Sequence, residues 1–127
     1  MTSIKRAGYS IRPEDGVNPP NWVGGNNLPY GGWSHFVEHL LKTLGKDDDT
    51  MEGYGGTQPW NVQADPIGHV MAVNDFQWEF PPEVCRLVAP RIRALIQSGD
   101  EEAILTGEML AELMEFCASR NTPLVMT

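Results

Sequence analysis

The amino-acid sequence predicts an α+β domain: a small, mostly antiparallel sheet packed by three helices. Three observations carry that expectation. Apolar residues recur with the helical period in three stretches, at about 33–45, 82–98 and 101–119. β-prone runs near both ends and at 69–80 are bounded by Gly, Pro, Asn and Asp. The length of 127 residues, 41% of them apolar, suits one domain over 1–127 with a core of its own.

The elements follow in order. "SIKRAGYSIR" (3–12) alternates around Ile4, Tyr9 and Ile11 and reads as an N-terminal strand. "PEDGVNPPNWVGGNNLPYGG" (13–32) has no period, and a loop of that length in a compact domain is usually either functional or partly disordered. Helix 33–45 is the clearest, because Trp33, Phe36, Val37, Leu40, Leu41 and Leu44 share one face. Ser34 is placed to cap it and Gly45 to stop it. "HVMAVNDFQWEF" (69–80) reads as a hairpin turning at Asn74-Asp75. Pro81-Pro82 ends the second strand and opens a helix striped by Val84, Leu87, Val88, Ile92, Leu95 and Ile96. The last helix faces inward through Met109, Leu110, Leu113, Phe116 and Cys117. Gly107 weakens its start, which makes Thr106 an alternative N-cap. "TPLVMT" is short and apolar enough to add an edge strand.

Charge excludes some functions. With 17 acidic against 9 basic residues the net charge is −8, and no basic stripe exists to displace counterions from nucleic acid. No run approaches the length of a membrane span, and "MTSIKRAGYSI" lacks the apolar segment of a secretion signal. The expected setting is cytoplasmic. Cys85 and Cys117 lie in apolar patterns and behave as small hydrophobes, or as a disulfide if their helices pack together.

One motif carries recognisable chemistry. "GWSHFVEHLL" holds His35, Glu38 and His39 as His-x-x-Glu-His, and over these ten residues it resembles the zinc-binding helix of the pitrilysin/insulysin metallopeptidases. The resemblance implies His35 and His39 as zinc ligands and Glu38 as the base that polarises water. It also implies a third ligand from a later helix, where Glu112 and Glu115 lie 73 and 76 residues after His39. The helical wheel sets both histidines opposite the apolar stripe. The leading reading is therefore a solvated helix face, with metal and other cofactors absent and the zinc hydrolase kept as an alternative.

Elsewhere the chemistry is sparse. His69 has no nucleophile set beside it by a motif, and "GYGGTQP" lacks the lysine of a phosphate loop. Arg91 falls near the stripe of its helix, as an edge residue or as a partner for a glutamate of the last helix. Trp22, Tyr30, Tyr54 and Trp60 sit among Gly, Asn and Pro, the composition of recognition loops. Glu108, Glu112 and Glu115 line the outer face of the last helix, and Asp47, Asp48 and Asp49 add an acidic run. The expectation is a small acidic protein that binds a macromolecule, a basic protein partner above all, as an inhibitor, immunity protein or adaptor. Small-ligand binding under the aromatic loops is the second reading.

Overall fold

In the computed structural model, which describes residues 8–45, 51, 57–73 and 77–127, the sheet is antiparallel throughout. Its strands are β1 (Gly8–Pro13), β2 (Asn27–Pro29), β3 (Trp78–Phe80) and β4 (Leu124–Met126), ordered β2-β1-β4-β3. β1 joins two halves. Its first residues pair with β2 (Tyr9 opposite Leu28), and its last pair with β4 (Ile11 opposite Met126, Pro13 opposite Leu124). β4 passes the register on to β3, with Phe80 opposite Leu124. Alternate residues Ile11, Phe80, Leu124 and Met126 are all buried, as the two-residue period of a strand demands.

α1 (Tyr30–Thr43), α2 (Gly68–Met71), α3 (Pro82–Leu95) and α4 (Glu101–Arg120) complete the α+β fold. α3 and α1 both pack against α4. Phe36, Leu40, Ile92, Leu110, Leu113 and Met114 are fully buried between these elements and join the inner residues of the sheet in one cluster. Among the described residues no helix is long and apolar enough to cross a membrane.

The structure departs from the sequence-based expectations at several points, each with a physical reason. The first half of the expected hairpin is helical. Asp65 accepts the Ile67 N–H through Oδ1 at 3.1 Å and starts the turn that becomes α2. Ile67, Val70 and Met71, at i, i+3 and i+4, then bury on one side. Only the second half is a strand, β3, and it pairs with β4. The expected turn at Asn74-Asp75 lies outside the described residues, as do Ile4, the aspartates 47–49 and Tyr54. β4 is interior to the sheet rather than at its edge.

The loop 13–32 contains β2, and α1 starts directly from it at Tyr30. Pro29, with φ of −58°, stands at the N-cap position in place of Ser34, which is exposed within the helix. The rest of that loop is fixed by side-chain amides. Asn18 and Asn26 exchange bonds at 3.0 and 2.9 Å, and Asn26 also donates to the Ile11 carbonyl at 2.8 Å. α4 starts at Glu101, as the span 101–119 predicts and not at the alternative start after Thr106, because Asp100 caps it by accepting the Ala103 N–H at 3.0 Å. α3 ends at Leu95, short of residue 98.

Candidate functional site on the outer face of α4

α4 buries Ala103, Leu110, Leu113, Met114 and Cys117, and this turns Glu101, Leu105, Glu108, Glu112 and Glu115 outward. Their spacing of four, three, four and three residues places all five on one exposed line. A helix of 20 residues runs about 30 Å, so the carboxylates form a long ridge on a rigid element. Leu105, 58% exposed, is the apolar member of that line. From α3, Arg93 reaches across and binds Glu115 bidentately, at 2.6 and 2.7 Å. The Arg93 pKa rises, through this bond first and then through the charges of Glu115, Glu108 and Glu112, with burial opposing. Glu115 is thereby held in place, while Glu101, Glu108 and Glu112 stay directed at solvent.

The histidines of α1 face the α3–α4 connection, with His35 still 41% exposed. His35 Nε2 lies 2.6 Å from Asp100 Oδ2. The Asp100 carboxyl sits below its usual range because it accepts the Ala103 N–H and, next, because His35 bonds to it. His39 donates from Nε2 to the Leu95 carbonyl at 3.3 Å. Its ring lies flush against Gly99, where φ is +140° and a Cβ would run into the imidazole. The residues named by the zinc alternative are thus distributed between different partners, His35 with Asp100 and Glu115 with Arg93, while Glu38 is exposed. Among the described residues no three His, Cys, Asp or Glu side chains are grouped to hold a metal ion.

The aromatic candidates fall in different settings. Trp22, half-buried, donates from Nε1 to the Gly25 carbonyl within its own loop, at 3.0 Å. Tyr30 belongs to the first turn of α1 rather than to a loop, and its ring meets Tyr9 edge-on at 5.0 Å. Trp60 lies on the wall of a cavity of about 540 Å³ near the end of α1, with Leu44, Met51, Pro59, Asp65 and Ile67 around it.

Asp65 in that wall is the partner of Arg91, which settles the role of this arginine differently from both sequence expectations. Arg91 Nε donates to both carboxylate oxygens at 3.0 and 3.1 Å, and Nη2 to Oδ2 at 2.9 Å. Burial alone would raise the Asp65 carboxyl, but the Arg91 guanidinium and the Ile67 N–H overcome it and hold it below 3.8. A carboxyl lowered on folding stabilises the folded state above its unfolded pKa and loses that contribution as pH falls through the folded one. With side chains 31% and 35% exposed, Asp65→Asn is expected to lose about 1 kcal/mol at pH 7. Urea titrations should show the gap to the parent protein closing on acidification below 3.8.

Cys85 and Cys117 are free and buried, so no disulfide joins α3 to α4. Burial pushes their thiols up to about 12 and about 11, and a group held as thiol is a poor nucleophile. Burial also pulls the half-buried His69 below its ordinary value. Sequence reasoning found three of the four glutamates of the ridge but missed Glu101, Leu105 and Arg93. Leu105 was available from the same helical wheel. Arg93 was not, because it lies 22 residues from its partner on another helix. Comparison with protein-family models, with curated proteins and with solved structures finds no match to this chain.

Proposed function

We propose that this protein binds a basic protein partner through the outer ridge of α4, in the manner of an inhibitor, immunity protein or adaptor. The observation that carries this reading is the exposed line Glu101–Leu105–Glu108–Glu112–Glu115 on a helix whose opposite side is locked in the core. Carboxylates on such a frame need little reorganisation to meet a cationic surface, and their field, with the net charge of −8, raises the rate of encounter. Leu105 supplies an apolar contact within the charged line, and the carboxylates around it supply the polar rim that interfaces carry. Arg93 shields only one end. The same charge balance disfavours nucleic acid, and a cytoplasmic setting belongs to this reading.

Glu108→Lys combined with Glu112→Lys tests it, since both positions are exposed and reversal there leaves the fold intact. Capture of the partner from the source cell should weaken by about tenfold or more. The same reversal at Glu14, exposed in the loop after β1, should leave it unchanged. Binding by the parent protein should also weaken as salt is raised. Capture indifferent to the double reversal and to salt rejects the proposal.

A further inference from the structure

We propose that the cavity at the C-terminal end of α1 binds a neutral aromatic small molecule that carries a hydrogen-bond acceptor. The inference is independent of the α4 ridge. The cavity measures about 540 Å³, within the range of small-ligand sites. Its walls come from separate parts of the chain. Leu44 closes the end of α1, and Met51, 7% exposed, is bridged to Gln58. Ile67, 1% exposed, forms the floor with Gly68. Gly68 is set so close that a Cβ would come within 3.0 Å of Trp60 Cβ and Val62 Cγ1, which ties Trp60 to α2.

The ligand class follows from the chemistry of this lining. Leu44, Met51, Pro59 and Ile67 are apolar, and Trp60 adds an indole against which a flat ring can stack. The methionine thioether is a further favourable neighbour for an aromatic ring. The charge of Asp65 is already balanced by Arg91, and its oxygens are occupied by that guanidinium and by the Ile67 N–H. Among the described lining residues no other side chain is charged, which favours a neutral ligand against them. Asn61 uses Oδ1 to accept the Ala64 N–H, and its NH₂ group remains the donor for an acceptor on the ligand.

Prodan, a neutral naphthyl ketone whose emission shifts to the blue in apolar surroundings, is the probe. The full chain should give a saturable blue shift at one probe per molecule. In methionine-methyl spectra, the ring current of the probe should move the Met51 methyl and leave that of Met126, in the sheet, in place. Ala64 is exposed at the edge of the cavity, so Ala64→Trp fills the space without entering the core. This variant should bind about tenfold or more weakly. Its Met126 methyl, unmoved from the parent position, reports that the fold is retained. The inference is overturned by a full chain that shows no saturable response, by binding that leaves the Met51 methyl unmoved, or by Ala64→Trp binding as tightly as the parent. None of these outcomes bears on partner capture by α4, and loss of that capture leaves the prodan result standing.

Discussion

Phe36→Ala is expected to destabilise the protein by about 4 kcal/mol, the usual scale for emptying a fully buried phenylalanine site. Phe36 has no solvent exposure and stands where α1 packs against α4. Its ring centroid is 6.0 Å from that of Trp33 in a tilted arrangement. That contact continues through Trp33 to Tyr9 at 5.9 Å and from Tyr9 to Tyr30, so the ring row ties β1 to α1. Phe36 also faces Gly107, which has no side chain of its own to fill the vacated volume. A small domain has roughly 5–15 kcal/mol in total, so this one truncation removes a large share of it. Urea denaturation followed by circular dichroism measures the loss directly. Leu105→Ala, on the exposed line of α4, serves as the contrast and should stay within about 0.5 kcal/mol.

The same pair of helices shows which parts of the fold were legible in the sequence. The stripe Trp33, Phe36, Leu40 is buried as its period predicts, because a long amphipathic helix has one orientation that hides its apolar face. The outer ridge of α4 was legible for the same reason, read from the opposite side. Short elements were not. β2 is three residues of Asn, Leu and Pro, and it is a strand only because Tyr9 of β1 lies opposite Leu28. In 67–73 the residues Ile67, Val70 and Met71 fit a helical turn, while Val70 beside Met71 and Val73 also reads as β-prone. Asp65, bonded to Ile67 and clamped by Arg91, decides between the two. Tertiary pairing overrides local preference wherever an element is too short to carry a period.

The site follows the same division. Glu108, Glu112 and Glu115 share one face by arithmetic alone, but the arginine that shields Glu115 comes from α3. The His35–Glu38–His39 spacing also reads clearly as a helical pattern, yet its meaning depends on what lies opposite. Opposite it stands the α3–α4 connection, with Asp100 meeting His35 and Gly99 meeting His39. In place of an open cleft, the histidines fasten α1 to the start of the helix that carries the ridge. Glycine placement therefore matters on both faces of α1.

Gly107→Val is expected to cost about 3 kcal/mol, against the trend that replacing glycine within a helix is stabilising. The gain from helix propensity on leaving glycine is at most about 1 kcal/mol. Position 107 is buried in the interior of α4, and a Cβ built there would come 2.6 Å from Ile96 Cγ2 and 3.1 Å from Phe36 Cε1. Neither neighbour can yield easily. Ile96 is 6% exposed at the C-cap of α3, and its β-branched side chain is restricted at χ1. Phe36 is a rigid ring with no exposed surface. Overpacking of this kind costs about 1–3 kcal/mol, and valine adds two methyl groups beyond the first carbon. Gly107→Ala should consequently lose about 1 kcal/mol, its propensity gain offsetting part of the clash. If chemical denaturation shows either variant more stable than the parent, the close approach of α1, α3 and α4 at this point is wrong. If both lose stability in this order, Gly107 is the contact that lets α4 lie close against α1 and project its acidic line outward.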